Sequence, residues 1–213
     1  MDNRRIAIIG AGDLGQSIAH YGKNNDYIIS GFYDDFQQLE RVCGIPVIGK
    51  LNDIVNDYNA GRFDALLCGI GYRHFSFRER IYSKFRLEHR IPFATIIDNS
   101  SHVDSTAVIG EGTIIFPGVH IDKGVVIKEN VLINVCATIS HDSTIEAHSF
   151  ISPRVAMAGF STIGKRCMVG INSTVIDNIS ICDDVRIGGG SLVIRNIDKS
   201  GLYVGSPAKW KKP

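Results

Sequence analysis

The chain lacks an excess of charge of either sign: 23 basic residues stand against 22 acidic ones, a formal net charge of +1. That balance argues against the basic face of a nucleic-acid binder. It lacks patterned cysteine. Cys43, Cys68, Cys136, Cys167 and Cys182 are odd in number, with neither CxxC nor Cys/His spacing. Such a set reads as reduced thiols of the cytoplasm rather than a disulfide framework. It also lacks an apolar run near the length of a membrane span. Met1-Asp2-Asn3-Arg4-Arg5 passes straight into a short strand-like run with no signal-peptide core. The expectation is a cytoplasmic protein with no membrane and no nucleic-acid partner. The 213 residues suffice for two small domains.

What is present is a repeat. Cut into sixes from His102, the chain places an aliphatic residue at every second position of each six, from Val103, Ile109 and Ile115 through Met157 to Val193, sixteen times without a gap. The sixth position, from Ala107 to Ile197, holds only small or branched residues. A period of six is neither helical nor simple alternation. It suits a parallel β-helix in which each six makes one short strand and one corner. The second position fills the interior, and the sixth sits where the corner leaves little room. Three sixes close one triangular coil, so 102–197 gives five to six coils stacked about 4.8 Å apart, each depending on its neighbours. Ordinary β-hairpins would need turn signals of variable spacing.

Residues 1–100 read differently. Ile6 to Ile9 is a buried strand, followed by Gly10-Ala11-Gly12-Asp13-Leu14-Gly15 and a helix over about Gln16 to Tyr21. A second strand, Tyr27 to Phe32, runs into Asp34-Asp35. This is the G-x-G-x-x-G pattern with its downstream acid. Its glycines allow a tight turn and close approach of a phosphate, which a helix N-terminus favours. Ala65 to Gly71 is a further strand ending in glycines. Tyr72 to His89 reads as an amphipathic helix carrying Arg73, Arg78, Glu79, Arg80, Lys84 and Arg86, and Pro92 to Ile97 as a last strand. The unit has room for only half of a full dinucleotide fold, so a single nucleotide suits it better than NAD. The reading is a half-Rossmann unit at 1–100, a β-helix at 101–198 and a C-terminal tail at 199–213.

Ile109-Gly110-Glu111-Gly112-Thr113 fits the hexapeptide pattern of the left-handed β-helix acyltransferases. With a half-Rossmann unit in front, the chain resembles the sugar acyltransferases of the bacillosamine and sialic-acid pathways, most of all the N-acetyltransferases acting on nucleotide-linked 4-amino-sugars. The most specific stretches are Asn134 to Pro153, Gly159 to Val175, Gly188-Gly189-Gly190 and Gly201 to Lys209. The resemblance implies a left-handed coil, a homotrimer with active sites between subunits, acetyl-CoA as acyl donor and a UDP- or dTDP-linked 4-amino-dideoxy sugar as acceptor. The setting it implies is O-antigen or other surface-glycan biosynthesis.

By resemblance, His141 is the general base and Asp142 its partner. An imidazole can take the proton that an attacking amine must lose, and a carboxylate can orient it. Eighteen-residue stacking places Gly159 one coil above His141 and Lys123 one below. The family binds acetyl-CoA at positions matching Gly159, Ile171 and Gly189, so the pantetheine arm is expected along those coils. Lys165, Arg166, Lys209, Lys211 and Lys212 are candidates for its phosphates. Gly10, Gly12, Asp13, Asp34, Asp35 and Gly71 match the nucleotide turns, and Asn134 a position near the sugar. Two family histidines are missing, replaced by Leu14 and Phe150. His148 does not inherit the second of those roles.

Other readings stay open. Acetylation of a sugar hydroxyl fits the same pattern. An NAD(P)-dependent oxidoreductase with a trimerising β-helix would need catalytic groups in 1–100, where His20, His74 and His89 form no recognisable site. A zinc hydratase would need three converging histidines, yet His120, His141 and His148 occupy hexad positions one, four and five, so no metal site is expected. A non-catalytic scaffold leaves His141-Asp142 and the glycine column unexplained.

Overall fold

The computed structural model describes residues 4–211. Met1 to Asn3, and Lys212 among the candidate phosphate contacts, lie outside them. The chain divides into two compact units, the first ending at Ile96 and the second beginning at Ile97.

The first unit is a five-stranded sheet flanked by helices. Strands β1 (Arg5–Ile9), β2 (Ile28–Tyr33), β3 (Arg41–Val42), β4 (Ile45–Gly49) and β5 (Ala65–Cys68) lie in the order β3-β4-β2-β1-β5. All neighbours are parallel except the β3–β4 hairpin. Ile6 to Ile9 and Ala65 to Cys68 are buried throughout, as near-continuous apolar runs in a parallel sheet should be. Helix α1 (Asp13–Asn24) follows the glycine turn, α2 (Ile54–Asn59) follows β4, and α3 (Phe75–Tyr82) follows β5. The hairpin and α2 fill a stretch that carried no sequence assignment.

Two expectations change here. Tyr72 to His89 is not one regular helix: a 3-10 turn (Tyr72–His74) precedes α3 and a wide π turn (Ser83–Glu88) follows it. Arg78 is buried. Its Nη1 donates to the carbonyls of Cys68 (3.0 Å) and Ile70 (2.8 Å), tying α3 to the end of β5. The expected strand Pro92 to Ile97 shortens to Ile96–Ile97.

The second unit is the repeat made solid. Strands stack parallel every eighteen residues on three faces. The first face runs through His102, His120, Thr138, Ala156, Thr174 and Leu192. The second runs through Val108, Val126, Thr144, Thr162 and Ser180. The third runs through Ile114, Leu132, Phe150, Met168 and Arg186. The second-position aliphatics form one buried column with the apolar sixth-position residues. Each fully buried Ile or Val in it contributes about 1.5–3 kcal/mol.

The sixth position has a second reason for being small. Its hydroxyls link coils. Ser149 Oγ donates to Gly164 O (2.7 Å) and accepts from Cys167 N (3.0 Å). Ser161 Oγ does the same with Ile176 O (2.9 Å) and Ile179 N (3.2 Å). Buried corner N–H and C=O groups that the strand ladder does not reach are satisfied this way. The fifth position carries the turn. From Gly112 to Gly190 every one has positive φ, and ten of these residues are not glycine: Asn130, Cys136, Asp142, His148, Arg154, Phe160, Arg166, Asn172, Asn178 and Asp184.

The expected tail is not a tail. Gly201–Val204 pairs parallel with Val185–Ile187 and extends the third face, and Lys209–Lys211 folds back antiparallel on it. Lys199 Nζ sits 4.3 Å over the Trp210 ring.

Candidate active site

The first corner, where the first face turns into the second, stacks Lys123-Gly124, His141-Asp142, Gly159-Phe160 and Asp177-Asn178 one coil above another. The coil ladder holds them there: Asp142 N donates to Lys123 O (3.0 Å), Phe160 N to His141 O (3.1 Å) and Asn178 N to Gly159 O (3.0 Å). His141 Nδ1 lies 3.0 Å from Asp142 Oδ2. An ionised carboxylate only accepts, so Nδ1 carries the hydrogen and Nε2 is left as the basic nitrogen. The side chains are 40% and 41% exposed, so the pair is reachable from solvent while resting on the coil.

Two glycines bracket this pair. A Cβ on Gly159 would lie 2.7 Å from His141 Cε1 and 2.8 Å from Nε2, so the imidazole occupies the space a side chain would take. A Cβ on Gly124 would lie 2.6 Å from Asp142 Oδ1. The Phe160 ring meets His141 edge-on, with centroids 5.0 Å apart, and is 58% exposed. Gly124 and Phe160 went unread in the sequence. Each is eighteen residues from Asp142, so the column arithmetic that found Gly159 would have found both.

The other acyl-donor candidates lie elsewhere in the chain. Ile171 and Gly189 stack on the third corner, where a Gly189 Cβ would meet Ile171 Cγ2 at 3.1 Å. Ile171 is exposed. Lys165 is on the second corner, its N–H donating to Asp183 Oδ1 (2.8 Å). There Arg166 forms a two-pronged pair with Asp184, Nε and Nη2 both at 2.8 Å, which holds the Asp184 carboxyl below its usual range. One side of a coil is six residues, up to about 20 Å of extended chain. Within one chain Gly159 and Ile171 therefore lie on different corners: 171 is twelve residues from 159, two sides round the coil.

Lys209 lines a cavity of about 500 Å³ with Arg195, Asn196, Tyr203, Pro207 and Ala208. Lys211 is exposed on the closing strand. Asn134 is on the third face, with its Oδ1 accepting from Val135 N (2.8 Å). His148 is buried at the second corner, Nδ1 3.0 Å from Asn130 Nδ2, and Phe150 is buried on the third face. Burial pushes the Cys167 thiol up to about 12, which makes it inert. Among the described residues no group of three or more His, Cys, Asp or Glu is placed to hold a metal, and no helix is long and apolar enough to cross a membrane.

In the first unit the glycine turn folds tightly. Gly10 has φ +95, and a Cβ on Gly15 would collide with the Gly10 carbonyl. Gly12 caps α1, and a Cβ there would meet open space, as would one on Gly71. Asp13 is the first residue of α1. Asp34 is engaged by the protein itself: Oδ2 accepts from Ala11 N (2.8 Å), Oδ1 from Phe36 N (2.9 Å) and Gln37 N (3.0 Å). It shapes the turn it was expected to help bind through. Asp35 Oδ1 accepts from Leu51 N (2.9 Å). Gly10, Tyr33, Asp34, Asp35, Phe36 and Ile70 line a cavity of about 60 Å³. It shares Asp35, Leu51 and Phe77 with a hollow of about 630 Å³ that carries Arg80 and Lys84.

Both units are similar to known proteins. The PglD N-terminal domain family matches residues 5–85. Over essentially its whole length the chain superposes on PerB from Caulobacter crescentus, solved in complex with CoA and GDP-perosamine (27% identity, TM-score 0.91, 97% of each chain covered). It also superposes on the acetyltransferase domain of PglB from Neisseria gonorrhoeae, solved with acetyl coenzyme A (25% identity, TM-score 0.87, 97% of this chain and 98% of that one). A UDP-3-O-acylglucosamine N-acyltransferase of Bordetella pertussis is 43% identical over 67 residues, 32% of this chain; the match spans only 18% of that protein's length. The resemblance to hexapeptide-repeat acetyltransferases of nucleotide-linked amino-sugars thus holds in both units.

Proposed function

We propose that the chain is an acetyl-CoA-dependent N-acetyltransferase whose acceptor is the amine of a nucleotide-linked amino-sugar. The observation that carries this reading is the His141–Asp142 pair held between two glycines at an exposed corner. His141 Nε2 takes a proton from the sugar amine as its nitrogen bonds to the thioester carbonyl carbon, and Asp142 stabilises the imidazolium. The carbon–sulfur bond breaks, and the imidazolium returns the proton to the departing thiolate. Gly159 leaves the carbonyl room to approach backbone at the same corner. The glycine turn, Asp35 and Gly71 hold the nucleotide in the first unit.

The assembly is a homotrimer with parallel axes and acetyl-CoA between protomers, in the cytoplasm, serving surface-glycan synthesis. Rotation about a parallel axis leaves heights unchanged. At about 4.8 Å per coil, Gly159 stands roughly 5 Å above His141, and Ile171 and Gly189 of a neighbouring copy roughly 8 and 13 Å above it. Arg195, three coils up, stands at roughly 14 Å beside Lys209. An extended pantetheine arm meets these residues in that order, with its phosphates at the basic end; Lys165 is a more distant phosphate contact. The division of donor residues between the first and third corners supports this arrangement, because one copy alone cannot gather them.

The test is thiol release from acetyl-CoA with UDP-, dTDP- and GDP-linked amino-sugars, alongside their hydroxyl counterparts. An amino-sugar is expected to turn over, and His141→Ala to lower kcat by roughly 10²–10⁴-fold. Turnover undiminished in His141→Ala would remove the base from the mechanism.

A further inference from the structure

We propose that Gly124 is a positioning residue: its missing side chain seats Asp142 so that the carboxylate reaches His141 Nδ1. The backbone at Gly124 has φ +65. That alone does not call for glycine, because ten other fifth positions adopt the same conformation with side chains, Asp142 itself at φ 56 among them. What sets Gly124 apart is its surroundings. A Cβ there would stand 2.6 Å from Asp142 Oδ1 and 3.5 Å from its Cγ. At Gly190, with φ +67, a Cβ would meet nothing within 4 Å. The other oxygen of the same carboxylate is the one 3.0 Å from the imidazole. Filling the gap at 124 turns the carboxylate, and the Nδ1 hydrogen bond turns with it. Gly159 does for the ring what Gly124 does for the acid, so the pair is confined from the coils on both sides.

The catalytic consequence rests on the base assignment proposed above, but the placement of the imidazole does not, and both are read together. Gly124→Ala, Asp142→Ala, the double variant and Gly190→Ala are compared by kcat for thiol release, by thermal melting and by the 15N tautomer signature of His141. Gly124→Ala and Asp142→Ala are each expected to lower kcat by roughly 10–100-fold. Both should convert His141 from a single Nδ1–H form to a tautomer mixture. In the double variant the methyl group meets no carboxylate, so the loss should equal that of Asp142→Ala alone. Gly190→Ala carries the backbone strain without the collision and should keep the single tautomer.

If Gly124→Ala does not fold, recovery of folding in the double variant identifies the same collision. A double variant that also fails to fold while Gly190→Ala folds refutes the proposal. So does an unchanged tautomer in Gly124→Ala, or a loss that adds in full to that of Asp142→Ala. A His141→Ala enzyme with full activity would instead sink the base assignment, and the tautomer readout would still decide the role of Gly124.

Discussion

Alanine at position 159 adds one methyl group where the His141 ring now lies. The ring edge would be 2.7 Å from that methyl, against 3.4 Å for ordinary contact, so the imidazole must retreat by about 0.7 Å. Gly159 does not use positive φ, so the backbone accepts alanine. The ring is part-exposed and can move outward, and a glycine-to-alanine change at a compatible site gains about 0.4–1 kcal/mol through the unfolded chain. Stability should therefore stay within about 1 kcal/mol of the parent. Catalysis should not: a misplacement near 1 Å costs on the order of 10²-fold, about 2.7 kcal/mol of barrier. The assay pairs a urea melt with kcat for thiol release under saturating acetyl-CoA and acceptor. A Gly159→Ala protein that melts normally and keeps kcat within about threefold would refute the idea that the ring must rest against bare backbone.

Ser149→Ala removes one donor and one acceptor from a buried corner and should lower unfolding free energy by about 1–3 kcal/mol, read as a lower urea midpoint. Phe160→Asn replaces a bulky residue at φ 56 with one that tolerates that conformation, and should stabilise the fold by about 0.5–1 kcal/mol in a thermal melt. Asp184→Asn breaks the pair with Arg166. Because the folded Asp184 pKa is depressed, its contribution is full above the unfolded carboxyl value near pH 3.9 and is lost as pH falls through the lower folded value. The variant should thus lose stability at neutral pH and converge with the parent in acid. The difference should stay within about 1 kcal/mol, given the exposure of the carboxylate; a gap that persists below about pH 2 would contradict it.

The interior of the β-helix was legible because second-position residues such as Ile139 and Ile163 repeat in the sequence as they stack in space. The corners were less so. Left-handed φ is announced by glycine at 112, 118, 124 and 190, but Arg154 and Phe160 adopt it too, held by the coils above and below, and nothing local in the chain says so. The Ser149 and Ser161 hydroxyls were read as small volume when they also act as hydrogen-bonding groups. Gly201 to Lys211 read as a tail because its strand pairing breaks the period of six. The β3–β4 hairpin carried a faint signal in Cys43-Gly44, both with positive φ. The burial of Arg78 was not legible because a buried arginine needs carbonyl partners that only the folded chain supplies. Division of residue numbers by eighteen puts Gly159 on one corner and both Ile171 and Gly189 on another, a split already present in the sequence.

That same division acts as a ruler on what the chain can tolerate over evolutionary time. Inserting or deleting one whole coil shifts everything downstream along the axis but keeps every residue on its own edge. A change of six preserves inside and outside yet rotates the remainder by a third of a turn, so that between 141 and 159 it would strand His141 on one edge and Gly159 on another. Any other length turns the apolar column outward. Relatives of this prism should therefore differ in length by multiples of eighteen within the coil, and absorb all other variation in loops thrown out from the corners.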